Sequence, residues 1–232
     1  MDIREGLVDY QSIVSECPSA NPEELISFLS EELPYVWSDS YKRLTPHRSN
    51  IDSIHIEGFE YLFDHSSELV AKGIIKKQEA VENRLVAVHG RSRPTRRKRH
   101  DSILRRQPLG PVEVVEPTHR SRYDRGHFIA LSLGGDLHSN VFPQSAEINR
   151  GWSDRGKVFR SMERYCNERP GTYFFSRPLY VGLSAHPYMI EYGVLRDDGK
   201  LWVNLFSNCR DEEEMAEFER LYQEKIASQL TL

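Results

Sequence analysis

The stretch from Tyr123 to Glu163, YDRGHFIALSLGGDLHSNVFPQSAEINRGWSDRGKVFRSME, narrows what this chain can fold into more than any other. It opens with Asp124-Arg125-Gly126-His127 and a short apolar run, Phe128-Ile129-Ala130-Leu131. Gly134-Gly135 turns the chain, and Asn140-Val141-Phe142-Pro143-Gln144 extends it again. Ile148-Asn149-Arg150-Gly151 then leads into a helix-like segment that holds Glu163. The apolar runs are strand-sized and bounded by turn residues. The expected order is strand, turn, extended segment, helix.

The flanking sequence fits an α+β class. Arg84 to His89 (RLVAVH) is rich in β-branched residues and reads as a strand. Gly171 to Leu183, Pro187 to Leu195 and Lys200 to Phe206 read as three more, with Asp197-Asp198-Gly199 as a hairpin turn between the last two. Pro108 to Pro117, carrying Val112, Val114 and Val115, reads as an edge strand or an extended loop. Glu212 to Gln229 reads as a closing helix with a stripe of Met215, Phe218, Leu221, Tyr222 and Ile226. Strands and helices without βαβ alternation predict a mostly antiparallel sheet.

Residues 1–79 read as a mostly helical N-terminal region, set before a main domain over 80–232. Asn21 is an N-cap, Pro22 suits the first helical position, and Glu23 and Glu24 suit the first turn. Leu25, Phe28, Leu29 and Leu33 follow at helical spacing, and Pro34 is expected to end the helix. Ser67 to Glu79 is a second helix candidate, weakened by Gly73.

Composition bounds the partners. The 232 residues, 38% hydrophobic and 28% charged, supply a real core. A net charge of −4 gives no global sign of nucleic-acid binding, but Arg91 to Arg106 (RSRPTRRKRHDSILRR) is densely basic. A local basic stripe is an electrostatic footprint for nucleic acid, and it reads equally as a solvated loop. Cys17, Cys166 and Cys209 form no CxxC pair and no Cys/His metal spacing, so a reducing compartment is expected. The start, MDIREGLVDYQSIVSE, has no basic segment followed by an apolar one. No apolar run is long enough to cross a membrane. The expected location is the cytoplasm, or outside the cell by a non-Sec route.

Of the nine histidines, His127 has the most suggestive setting: it follows a glycine and begins an apolar run that fixes it against a sheet. A neutral imidazole takes a proton from water near neutral pH. Asn149 offers a carbonyl oxygen, a ligand suited to Mg²⁺, which keeps several waters and takes few protein ligands when a phosphate also binds. Asn149-Arg150-Gly151 reads equally as a plain turn; the ordered set carries the weight.

DRGH, NVFPQ, INRG and ME at these intervals resemble the DNA/RNA non-specific endonuclease family of ββα-metal (His-Me finger) nucleases. The likeness runs roughly from Arg84 to Asn208, and RPLYVGLSAHPYMIEYGVLRDDGKLWVNLFSN is similar to the strands after the finger in bacterial toxin-type members. The resemblance implies a non-specific, metal-dependent endonuclease acting on DNA, RNA or both, with Mg²⁺ as cofactor and Mn²⁺ able to substitute. It implies His127 as general base, Asn149 as direct metal ligand, Arg125 as the arginine that places the phosphate, and Asn140 as a supporting asparagine. Asp124 reads as a structural anchor. The family also uses an upstream arginine on the scissile phosphate, which leaves Arg91, Arg93, Arg96 and Arg97 open; with Arg99 these are the candidate nucleic-acid contacts. A cognate immunity or inhibitor protein is a further implication. The rival reading is a nucleic-acid-binding module whose catalytic site has decayed.

One departure from the family pattern matters. Its acid follows the metal asparagine by about two helical turns, where this chain has Lys157; the next glutamate is Glu163. On one continuous helix Glu163 would stand about 21 Å from Asn149 along the axis. The expectation is therefore a loop over Gly151 to Gly156, broken at Gly156, with the helix carrying Glu163 starting after it. Asp154 is the rival acid.

Overall fold

Asn21 and Pro22 start the longest helix as their chemistry predicts, the Asn21 side chain accepting from the Glu23 N–H. The computed structural model describes residues 3–45, 50–65, 73, 84–93, 95, 123–135, 140–180, 186–209 and 212–230. Helix α1 spans Tyr10–Glu16 and α2 spans Pro22–Leu44. Pro34 lies inside α2 and does not end it. Leu25, Leu29, Leu33, Trp37 and Tyr41 are all buried, one every fourth residue. Burying the three leucines alone contributes about 1.5–3 kcal/mol each, which outweighs the roughly 3 kcal/mol an interior proline costs.

Among the described residues the helices of the N-terminal region end at Leu44. Strands β1 (Ile51–Ile56) and β2 (Phe59–Asp64) follow, paired as a hairpin. Glu57 and Gly58, both at positive φ, form its turn. The strand β3 (Arg84–Arg91), expected from RLVAVH, pairs with β2. Strands β6 (Tyr173–Leu179), β7 (Met189–Leu195) and β8 (Leu201–Ser207) complete an antiparallel six-stranded sheet in the order β1-β2-β3-β6-β7-β8. Gly199, at φ +76°, turns the β7–β8 hairpin where Asp197-Asp198-Gly199 predicts it. The helix candidate at 67–79 lies outside the described residues except for Gly73, and the segment 108–117 lies wholly outside them.

A second, two-stranded sheet pairs β4 (Tyr123–His127) with β5 (Val141–Ser145). Helices α3 (Ala146–Arg150) and α4 (Asp154–Glu168) follow directly, and α5 (Glu212–Leu230) closes the chain. The fold is α+β with a mostly antiparallel sheet, and β4-β5-α3 has the strand-strand-helix order that the sequence predicts.

The large sheet is covered on both faces. Helices α1 and α2 pack on one, through Tyr10, Trp37 and Phe175. The β4-β5-α3-α4 unit packs on the other, through Phe142, Phe159, Met162, Phe174 and Tyr192. Strands β6 and β7 are buried at every position, which is why YFFSRPL and MIEYGVL show no regular apolar–polar alternation. Arg177 and Glu191, both fully buried, pair at 2.6 Å. The same guanidinium donates to the Gly6 carbonyl and to Ser40, while Tyr10 donates to Glu191. This buried network joins α1 and α2 to the sheet. Among the described residues no helix is long and apolar enough to cross a membrane.

Candidate active site

The two short motifs of β4 and β5 fit each other sterically. Asp124 pairs with Gln144 and Gly126 with Phe142, so Asp124, Gly126 and Gln144 share one face of the ribbon. A Cβ at Gly126 would lie 2.2 Å from the Gln144 Oε1. Only glycine lets the buried Gln144 side chain cross there, which explains why the glycine of DRGH and the glutamine of NVFPQ occur together. Phe128 stacks on Phe142 at 4.1 Å and fixes the chain just beyond His127.

Asn140 is fully buried and braces the same turn. Its Oδ1 accepts from the Ile129 N–H at 2.7 Å and its Nδ2 donates to the Ile129 carbonyl at 2.6 Å. It therefore fixes the backbone two residues past His127. Asn208 clamps β5 to the large sheet, accepting from the Ser145 N–H at 2.7 Å and donating to the Pro143 carbonyl at 2.9 Å. Nothing in the sequence around Asn208 signalled that role.

Asp124 joins strand to helix. Its Oδ2 accepts from Asn149 Nδ2 at 3.0 Å and from Arg150 Nε at 2.6 Å, and its Oδ1 accepts from Arg150 Nη2 at 2.5 Å. A carboxylate only accepts, so the NH₂ of Asn149 must face Asp124 and its Oδ1 must face away. The Arg150 hydrogen bonds, aided by Asn149 and opposed by partial burial, hold the Asp124 carboxyl below its usual pKa. The anchor role expected of Asp124 thus has a specific object, the amide of Asn149. Among the described residues no cluster of three or more His, Cys, Asp or Glu is placed to hold a metal. The donor that Asn149 presents is a single fixed neutral oxygen. That suits one hard cation whose other ligands are water and phosphate.

His127 ends β4, half-buried, with its Nε2 enclosed by protein. Arg125 lies on the same face of β4 by strand alternation. Its Nε is buried without a hydrogen-bond partner, and among the described residues it has no acidic partner. Arg91 is engaged elsewhere, in a two-pronged pair with Glu23 at the start of α2. The backbone of Arg93 pairs with Leu133, in the turn after His127, and its side chain reaches the Glu57 carbonyl. Arg96, Arg97 and Arg99 lie outside the described residues.

The helix break expected after Asn149 is present, but shorter and earlier. Gly151, at φ +71°, Trp152 and Ser153 form it, and Ser153 caps α4 by accepting from the Gly156 N–H. Asp154, Arg155 and Gly156 belong to the first turn of α4, not to the loop. Gly156 serves packing: a Cβ there would lie 2.2 Å from the Glu147 carbonyl oxygen of α3. Arg155 lies over the Tyr222 ring, 3.4 Å from its centroid, and donates to the Leu205 carbonyl; burial pulls its pKa down to about 10, which leaves it charged at neutral pH. Asp154 is almost fully exposed and pairs with Lys157 at 2.7 Å. Glu163 is mostly buried and accepts from Arg160 at 2.8 Å. Burial first, and the Glu163 charge after it, push the Cys166 thiol up.

No family model matches this chain, and no curated protein matches it. Among solved structures it is similar to that of Sda1 nuclease with bound zinc ion, over 39% of this chain and 39% of that one, at 23% identity and a TM-score of 0.32. The chain thus spans about two fifths of that protein.

Proposed function

We propose that this protein is a metal-dependent endonuclease that hydrolyses phosphodiester bonds of DNA, RNA or both, with little sequence preference. One observation carries the proposal: Asp124 of DRGH binds both Asn149 and Arg150 of INRG, so the two motifs form one site at the junction of β4 and α3. Residues 80–232 hold this site, with residues 1–79 as an added layer. His127 is the general base. Arg125, with no acidic partner among the described residues, meets the scissile phosphate. Asn140 positions His127 through the Ile129 backbone. Asn149 is assigned to hold one Mg²⁺, with Mn²⁺ able to substitute, which when bound neutralises charge developing on the phosphate. Glu163, mostly buried on α4, is assigned the acid that strengthens that hold. Charge on the phosphate and not base edges governs binding, so base preference is weak.

Incubating the purified protein with plasmid and with RNA tests the proposal. Cleavage with Mg²⁺, none with EDTA, and none by Asn149→Ala at any practical Mg²⁺ concentration is the expected result. Binding without cleavage marks the decayed module instead. A cognate immunity or inhibitor protein belongs to the same proposal, and rescue of toxic expression by a co-expressed small protein is its test.

A further inference from the structure

Helix α4 carries a row of basic groups that the hydrolytic site does not use. Lys157, Arg160 and Arg164 recur at three- and four-residue spacing and so share a face. With Arg150, Gly151 and Ser161 they line an open concavity of about 440 Å³. Among the described residues no acidic side chain lines it. The acids paired with its arginines stand behind them: Asp124 is 18% exposed against 46% for Arg150, and Glu163 is 13% exposed against 59% for Arg160. Each inner carboxylate turns a guanidinium outward, and each guanidinium keeps N–H donors to spare, since it carries five. Lys157 pairs with Asp154, which projects into solvent. Arg164 has no acidic partner among the described residues. The positive φ of Gly151 turns the chain here, and a Cβ on it would lie 3.0 Å from the Arg160 stem, so the concavity is built by the break between α3 and α4.

The row from Lys157 to Arg164 is about 10 Å long at 1.5 Å per residue. That is too long for one phosphate and suits a chain of them. At its near end Trp152 is 63% exposed, with the Arg150 guanidinium 4.6 Å from its ring centroid. An exposed aromatic beside phosphate-binding cations suits a base attached to a backbone. Arg150 is held by the same carboxylate as Asn149, so the concavity is continuous with the hydrolytic site.

We propose that this face of α4 binds the sugar-phosphate backbone of the substrate strand beyond the bond being cleaved, with Arg160 and Arg164 on phosphates and Trp152 against a neighbouring base. It rests on the hydrolysis proposed above for its place in the reaction, but its binding test does not need catalysis. Fluorescein-labelled single-stranded DNA and RNA oligonucleotides are bound in EDTA, and affinity is followed by anisotropy across a salt series. Arg164→Gln should lower the slope of log affinity against log salt by about 0.7, and a Lys157→Gln/Arg160→Gln/Arg164→Gln variant by about 2, the values for one and three phosphate contacts on a single strand. Arg164→Lys should restore the slope. Thermal unfolding of each variant checks that the fold is kept, and for any variant that is destabilised the exposed Arg164→Gln alone decides. Inorganic phosphate should compete only weakly, because it occupies one point of the row. Unchanged slopes in folded variants overturn the inference, as does a wild-type protein that binds neither oligonucleotide. If His127-dependent cleavage persists while the slopes stay at wild type, the hydrolysis stands and this surface falls. If the slopes drop while no cleavage is seen with any metal, the surface stands and the hydrolysis falls.

Discussion

Asp124→Asn is the most revealing single change, because Asp124 holds both Asn149 and Arg150. An asparagine at 124 loses the charge of both bonds and must turn its NH₂ either on Arg150 Nη2, when its oxygen takes the place of Oδ2, or on Asn149 Nδ2 and Arg150 Nε, when it takes the place of Oδ1. The two existing bonds are not equal. Arg150 stands in solvent, so its share is largely screened. The bond to Asn149 is a charge-assisted one from a carboxylate that is only 18% exposed, and such bonds contribute about 1.5–3 kcal/mol. At the lower figure the Asn149 amide loses about tenfold of its orientational preference, since 1.4 kcal/mol is a factor of ten. The expected outcome is about a tenfold rise in the Mg²⁺ concentration needed for half-maximal cleavage, with the maximal rate largely recovered at saturating metal. A Mg²⁺ titration of oligonucleotide cleavage measures this directly, alongside a thermal melt to confirm folding. A folded Asp124→Asn protein with the wild-type Mg²⁺ midpoint would show that Asp124 does not fix the Asn149 amide for the metal proposed there.

Three further outcomes follow from named contacts. Glu163→Gln should raise the Mg²⁺ midpoint while Asp154→Asn leaves it alone, because Asp154 points into solvent and Glu163 is mostly buried; the reverse pattern in the same titration would assign the acid to Asp154. Glu191→Gln should destabilise the protein by about 3–5 kcal/mol, the usual loss when a buried pair is broken, read from urea unfolding; a change within error would show that the Arg177 network does not hold α1 and α2 to the sheet. The depressed pKa of Asp124 means that its pairing stabilises the fold fully above the unfolded carboxyl value and less as pH falls through the lower folded one. Stability should therefore drop below about pH 4, and Asp124→Asn should flatten part of that acid limb; an identical limb in the variant would contradict the assignment.

Much of the fold was legible because its signals are local. Asn21-Pro22-Glu23-Glu24 carries helix-start chemistry, Asp197-Asp198-Gly199 carries a hairpin-turn signal, and RLVAVH is rich enough in β-branched residues to read as a strand. Pro34 misled because tertiary burial of Leu29, Leu33 and Trp37 overrides a local penalty. The β1–β2 hairpin was missed because β1 is an exposed edge strand whose isoleucines, at 51, 54 and 56, keep no steady alternation, and Glu57-Gly58 is not one of the strong hairpin dipeptides. In the candidate site the residue types of DRGH and INRG were visible, and so was the need for a helix break. What the sequence hides is pairing across distance. Nothing in it says that Gln144 lies over Gly126, that Asp124 fixes the amide of Asn149, or that Asn208 clamps β5 from the far end of the sheet. The row on α4 escaped for the opposite reason: Lys157, Arg160 and Arg164 are spaced apart by Val158, Phe159, Ser161, Met162 and Glu163, so no block of charge marks them as Arg91 to Arg106 is marked.

The central claim is that His127 takes the proton of the attacking water. Single-turnover cleavage of one labelled oligonucleotide, at saturating Mg²⁺, compares wild type with His127→Ala, and anisotropy in EDTA compares their binding. The account predicts equal binding and a cleavage rate lower by about two to four orders of magnitude in the variant. A His127→Ala protein that cleaves at the wild-type rate would contradict it.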